Sequence, residues 1–421
     1  MPSQPSATHK DTHLIIGAGI IGLMTALHLQ QAGRDVHLVD RTLPGDVDQA
    51  SYGNAGVLSF ASYRPVAEPG IWKEGLHGLF DPNSVLKLNW RYLPTAAPWL
   101  WAFLKESHPT RADANARATL SLNGHAKKSW QAVVRQHRLN DLVEPTGWLK
   151  LFESDAAFNG QMAQTAALDE AGLGWQSLTG DEVRDLEPAV GTRIKHGFLQ
   201  TDSLRVRQPH HLLNRLAEHL RTNGATFHRA QVQSLQAGEH GVTVQTDQGS
   251  LSHAQVCLCA GAYSQRLLAT LGEQVPLETE RGYHLMMPVT DALTRPIMHV
   301  EEQFVVSPMA EGLRMTTGEE FAGLDAPPDY RLIQRKHKRL NNLLPGLDLT
   351  PSHHWLGFRP SFPDSKPIIA RHPTLPGLAM AFGHGHLGMT QSAATGVLLS
   401  ELVLDQRPSV DLSPFRFDRF A

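Results

Sequence analysis

The sequence predicts an α/β fold in which a parallel sheet is interrupted by an inserted α+β portion built on a mixed or antiparallel sheet. Three features carry that prediction. A strand, glycine turn, helix and second strand follow one another between residues 13 and 40. A strand near 254–259 and a glycine turn before a helix near 383–403 repeat the elements of the same framework. Between them, 277–318 contains short strand-like runs such as GYHLMMP and FVVSP, typical of antiparallel pairing.

The elements are justified in chain order. His13–Ile16 is a short β-branched and aliphatic run, followed by Gly17-Ala18-Gly19-Ile20-Ile21-Gly22 and by Leu23, Ala26, Leu27 and Leu29 at helical spacing. Gly33 ends that helix, and Val36–Val39 is a second strand closed by Asp40. Trp72–Phe103 is rich in tryptophan, proline and leucine, and Thr110–His137 reads as a polar helix. Pro209–Asn223 is an amphipathic helix with Leu212, Leu213, Leu216 and Leu220 on one face; Val242–Gln245 and Ala254–Cys259 are strands. The block Trp355–Leu404 ends in a helix from about Thr390 to Val403. These elements are expected to form one discontinuous domain from 11–85, 150–272 and 353–421, with 86–149 and 273–352 inserted as a second.

Composition narrows the function. The 421 residues are 41% hydrophobic and 19% charged, so the chain is expected to fold throughout. A formal net charge of −3 supplies no clustered basic surface, which excludes nucleic acid as the main partner. The two cysteines, Cys257 and Cys259, point to one face of a strand and are poorly placed to pair, which fits a reducing compartment. They are also too few for an iron–sulfur or cysteine zinc site, so an organic cofactor must carry any redox chemistry. Met1–Thr12 is polar and does not read as a signal peptide, and no apolar run is long enough to span a bilayer. A cytoplasmic location is expected.

GAGIIG matches the dinucleotide fingerprint of a Rossmann-like unit: its glycines permit a tight turn, close approach of a pyrophosphate and helix–strand packing. Asp40, 18 residues after Gly22, is placed to bond ribose hydroxyls. That motif alone does not separate FAD from NAD, and an NAD(P)-dependent dehydrogenase is the rival reading. Three further segments bear on the choice. Ala50-Ser51-Tyr52-Gly53-Asn54-Ala55-Gly56 is a run of small residues or a surface loop; Cys259-Ala260-Gly261-Ala262-Tyr263-Ser264 is a strand end beside a cofactor or a tight turn. The third, Gly383-His384-Gly385-His386-Leu387-Gly388-Met389-Thr390, opens a helix whose amides can stabilise negative charge on a reduced flavin. The NAD(P) reading gives no reason for this last turn.

With these motifs the chain resembles the FAD-dependent amino acid oxidoreductases of the D-amino acid oxidase and glycine oxidase superfamily, and bacterial D-amino acid dehydrogenases in particular. The resemblance rests on GAGIIG with Asp40-Arg41, on SYGNAG, on Gly357-Phe358-Arg359-Pro360 with Asp364, Pro367 and Ile369, and on GHGHLGMT. It implies bound FAD, held by Gly17, Ala18, Gly19, Ile20, Ile21, Gly22, Asp40, Arg41, Ser51, Gly53, Asn54, Ala55, Gly56, Val57 and Val232, by Ala260 and Gly261, and by Gly385, His386, Leu387, Gly388, Met389 and Thr390. His384 and His386 are then flavin neighbours.

The resemblance also implies that Arg359 binds the substrate carboxylate through its bidentate fork. Arg281 either faces the substrate or forms an ion pair with Glu278 or Glu280. By strand parity Tyr283 joins Arg281, and His284 points away unless a bulge intervenes. Where many D-amino acid dehydrogenases have Lys-Gly-Tyr-Ser, this chain has Arg281-Gly282-Tyr283-His284, a form more like flavoproteins that oxidise D-hydroxyproline or opines. The expected reaction is hydride transfer to FAD from the carbon bearing the amine of a D-amino or cyclic D-imino acid, of the D-hydroxyproline or D-proline type. A flavoprotein subunit of an opine oxidase and a sarcosine or glycine oxidase-like enzyme are the alternatives. The electron acceptor is oxygen, a quinone or an electron-transfer protein.

No metal site is expected, because the 23 histidines show no HxxxH or HExxH arrangement with a clear partner. Trp72, Trp90, Trp99 and Trp101, interleaved with Leu76, Leu79, Phe80, Leu93 and Phe103, read as buried packing or as an apolar surface that meets an electron acceptor or, peripherally, the inner face of a membrane.

Overall fold

The computed structural model describes residues 12–71, 81, 84–239 and 241–420. Its first sheet has six strands in the order 226–229, 35–40, 12–16, 255–258, 378–382, 368–371, all neighbours parallel except the last pair. Thr12–Ile16 lies near the centre and is buried along its whole length. Ile15 packs with the helices on one side, while Leu14 and Ile16 join the apolar cluster on the other. Burial on both faces explains why this strand is a continuous apolar run, not an alternating one.

On the first face the helix Ile20–Gln31 lies beside the helices Pro209–Thr222 and Gly388–Val403. A Cβ at Gly396 would lie 2.6 Å from the Met24 carbonyl oxygen, so glycine sets how closely the two flanking helices approach. The long helix Pro109–Gln136 packs on Gly388–Val403, and the Trp130 indole donates to the carbonyls of Met389 and Thr390. The other face is covered by an antiparallel meander, Val232–Gly238, Gly241–Thr246 and Gly249–His253. The expected strand 242–245 is therefore found, in this meander and outside the parallel sheet. Cys257 and Cys259 are buried and free.

A nine-stranded mixed sheet forms the second layer, in the order 353–361, 278–287, 312–321, 304–309, 297–299, 148–152, 196–200, 176–179, with 86–88 joined to 312–321. The antiparallel pairing expected within 277–318 is present. The sheet draws on more of the chain than the sequence boundaries imply. Strands 176–179, 196–200 and 353–361, expected in the nucleotide framework, belong to it, and 148–152 crosses the boundary at 150; helix 109–136, expected in the insertion, packs on the nucleotide framework. Long-range pairing decided these memberships, and local pattern does not encode it.

The tryptophan-rich stretch divides. Trp99 is buried and donates to the Ser361 carbonyl, whereas Trp90 and Trp101 are 60% and 62% exposed. Trp72, Leu76, Leu79 and Phe80 lie outside the described residues. Among the described residues no helix is long and apolar enough to cross a membrane.

Candidate active site

A continuous cleft of about 810 Å³ runs between the two large sheets, with the GAGIIG turn at one end and Arg359 at the other. At the first end each glycine has its own reason. A Cβ on Gly22 would stand 1.9 Å from the Gly17 carbonyl oxygen, and one on Gly17 2.4 Å from the Cys259 carbonyl oxygen, so these two glycines serve chain packing. Gly19 is different: a Cβ there meets only Ser51 Oγ, at 3.7 Å, and otherwise points into the cleft. In the helix that follows, the Ile20 amide donates to Ser51 Oγ at 3.3 Å, and the first turn carries no acid, so its end remains favourable to an anion. Asp40 accepts from the Ala18 and Thr42 amides at 2.7 and 3.0 Å, and more loosely from the Thr42 hydroxyl and Gln49 side chain at 3.2 and 3.4 Å, which pins the turn and fixes the carboxylate on the cleft wall. Arg41 stacks on the Tyr263 ring at 4.3 Å.

Most expected cofactor residues line this cleft: Gly17, Gly19, Ile20, Ile21, Asp40, Arg41, Ser51, Gly53, Asn54, Ala55, Val57, Val232, Ala260, Gly261 and the turn from Gly385 to Thr390. Ala18, Gly22 and Gly56 do not; they sit one layer behind. Gly56, at φ +68°, is held by its N–H to Asn54 Oδ1, and a Cβ there would meet the Val206 carbonyl at 2.6 Å. Arg314, not anticipated from sequence, braces the SYGNAG loop from below. Its buried guanidinium donates to the carbonyls of Tyr52 and Asn54 at 3.0 and 2.7 Å.

At the far end Arg359 enters the cleft from strand 353–361. It lies across Gly282 of the neighbouring strand, where a Cβ would be 2.2 Å from its Nη2. Nη1 donates to the Gly318 carbonyl at 2.8 Å. Among the described residues no carboxylate comes within ion-pair distance of it, whereas Arg266, also on the wall, is paired with Asp325. Burial pushes the Arg359 pKa down, and the nearby Glu319 and Glu280 oppose that.

Contacts define where Arg281, Tyr283, His284 and His384 lie. Arg281 and Tyr283 do share a face, as parity requires, but their polar ends point away from the cleft. The Arg281 guanidinium is fully buried, bonds the carbonyls of Ala326 and Pro327 and pairs with Glu320 at 3.4 Å, not with Glu278 or Glu280. The Tyr283 ring touches the cavity wall, but its hydroxyl is committed to Glu320 and accepts the Asp329 amide. His284 faces the other side. It stacks on Trp355 at 4.8 Å beneath Gly53, and burial drives its pKa down to about 2. His384 lines the cleft and is bonded to Thr395, and burial pushes its pKa down to about 3.

Glu319, which no sequence motif marks, stands with His386 and Glu280 beside Arg359. Pairing of 278–287 with 312–321 slips between Arg281 and Tyr283, and Gly318 at φ +94° occupies the bulge, which re-aims Glu319 into the cleft. His386 lies between two carboxylates, with Nε2 3.3 Å from Glu319 and Nδ1 3.5 Å from Glu280. Burial works against ionisation of Glu319, yet His386 and Arg359 outweigh it and hold the carboxyl below its ordinary range. Glu280, buried behind His386, is raised by burial. The sequence clue was a glycine inside a strand pattern, at Gly318.

Comparison with known proteins agrees with this geometry. Residues 13–402 match the family described as FAD dependent oxidoreductase. The chain belongs to that family. It is 35% identical over 413 residues to a D-amino-acid oxidase of Bradyrhizobium diazoefficiens, covering 96% of this chain and 98% of that one. A D-amino acid dehydrogenase of Vibrio vulnificus is 28% identical, with 94% and 96% covered. Glycine oxidase from Geobacillus kaustophilus shares the fold with a TM-score of 0.76 at 20% identity, covering 97% and 98%. The chain is thus an FAD-dependent oxidoreductase, and the NAD(P) reading falls. The open side of Gly19 and the cleft volume of about 810 Å³ fit that cofactor.

Proposed function

We propose that this flavoenzyme oxidises a D-amino acid or a cyclic D-imino acid, with D-hydroxyproline and D-proline as the leading substrates. The observation that carries the reading is Arg359: a half-buried guanidinium on the cleft wall, bonded to one backbone carbonyl and offering its other edge to the cavity. A planar fork of this kind fixes a carboxylate and with it the direction of the adjacent C–H bond. The residues lining the other end would hold the dinucleotide, and the turn 385–390, on the same cavity wall, would lie beside the flavin. FAD when bound supplies the acceptor for the hydride; the protein binds, orients and excludes water. The names of its relatives and the Arg281-Gly282-Tyr283-His284 sequence support the D-configuration and the cyclic class.

An anaerobic stopped-flow screen of flavin bleaching tests this, using D- and L-amino acids, N-methyl amino acids and D-hydroxyproline. D-Hydroxyproline or D-proline should bleach the flavin fastest. Faster reduction by the L-isomers or by sarcosine overturns the assignment.

A further inference from the structure

We infer that Glu319 is a catalytic residue that receives the ammonium proton of the substrate, with His386 and Glu280 behind it as the path by which the proton is passed on. This rests on the amino acid reading above.

Hydride departs readily only when the nitrogen lone pair is free to form the C=N bond, whereas an amino acid in neutral solution carries an ammonium group. A site for such a substrate needs an anion beside its carboxylate-binding cation. The cleft has that pair. Arg359 holds the carbonyl of Gly318, and the next residue is Glu319, so guanidinium and carboxylate are neighbours on one wall. A zwitterion with both charges on one carbon matches them. The groups facing Glu319 from the packed elements are His386 of the 385–387 turn, Arg359 of strand 353–361 and, behind His386, Glu280 of strand 278–287. The Glu280 Oε2 atom is buried with no hydrogen-bond partner among the described residues. That atom, 3.5 Å from His386 Nδ1, can accept a hydrogen bond from it when the nitrogen bears a proton.

The step balances. One N–H bond of the ammonium breaks and one O–H bond forms on Glu319, leaving a neutral amine. The freed nitrogen lone pair can then form the C=N bond as the Cα–H bond breaks, FAD being the group that would take the hydride when bound. Glu319 returns to its carboxylate by giving its proton to His386 Nε2, and the His386 ring, 37% exposed, gives a proton up to water while Glu280 faces its Nδ1.

The test uses holoenzyme and its E319Q variant in two measurements. In the first, calorimetry at pH 7 compares 2-amino-2-methylpropanoate, which has no Cα hydrogen, with 2-methylpropanoate, which lacks the amine. Wild type should bind the amino compound about tenfold more tightly, the worth of one charge-assisted hydrogen bond, and E319Q should bind the two within about twofold. In the second, the flavin-reduction rate of E319Q should rise about tenfold per pH unit toward the substrate amine pKa, as the neutral amine becomes populated, while wild type stays nearly flat. E319D, which keeps the carboxylate, should retain the preference and shows that loss in E319Q is not misfolding. An undiminished preference for the amino compound in E319Q, no preference in wild type, or parallel pH profiles overturns the inference. Wild-type flavin that no amino acid reduces overturns the amino acid reading instead.

Discussion

Substituting Gly282 by alanine should disable Arg359 without touching it. Gly282 is not among the glycines with positive φ, so alanine fits the backbone there. The new Cβ would lie 2.2 Å from Arg359 Nη2 and 2.3 Å from Cζ, the mobile end of a long side chain, so the guanidinium must swing aside while the strand stays in place. The charge remains in the cleft and the fork geometry is lost. A charge-assisted hydrogen bond is worth about 1.5 to 3 kcal/mol, so weakening two of them should cost about 2 to 4 kcal/mol, or roughly thirty- to a thousand-fold in kcat/KM for an amino acid. An amine without a carboxylate should be used poorly by wild type and scarcely worse by Gly282→Ala. Arg359→Lys should lose a similar factor, and the double variant should be little worse than the weaker single one, because both remove the same contact. The assay is anaerobic flavin reduction on protein of verified flavin content. The reasoning is refuted if Gly282→Ala keeps full efficiency, or if amino acid and bare amine lose equally, which would make Arg359 a support for flavin or fold.

Three further outcomes follow from the same geometry. Gly19→Val should give folded but colourless protein, because its Cβ meets no protein atom closer than 3.7 Å and instead fills the pyrophosphate path; a full flavin spectrum would move the cofactor elsewhere. Arg314→Met should weaken FAD binding by at least about tenfold, since two carbonyls of the Ser51–Gly56 loop lose a charged donor; a lower melting temperature with unchanged FAD affinity would assign Arg314 to the fold alone. His284 has its pKa depressed from 6.5 to about 2, so between those values the unfolded chain binds the extra proton and stability falls as pH falls below 6.5. His284→Gln should make denaturant-measured stability less acid-sensitive by up to about 1.4 kcal/mol per pH unit in that window, and an unchanged slope would contradict the burial.

The nucleotide end was legible in the sequence because its requirements are local. A strand, three glycines, a helix and an acid within 13–40 impose a turn that few other structures need, and Gly17, Gly19 and Asp40 stand where that pattern puts them. The motif around Arg359 was likewise enough to place a guanidinium in the cleft. Strand periodicity correctly set Arg281 and Tyr283 on one face, yet it carries no information on which face a neighbouring layer will cover. Only the packing of 326–329 against one side and of the 385–387 turn against the other decided that Arg281 is a buried brace and that Glu280 faces the site. The bulge at Gly318 is a property of two strands in register, so the turning of Glu319 into the cleft toward His386, some 67 residues away in sequence, is written in neither segment by itself. Local chemistry fixed the glycine turn and its acid, and contacts between distant segments fixed the polar groups beside Arg359.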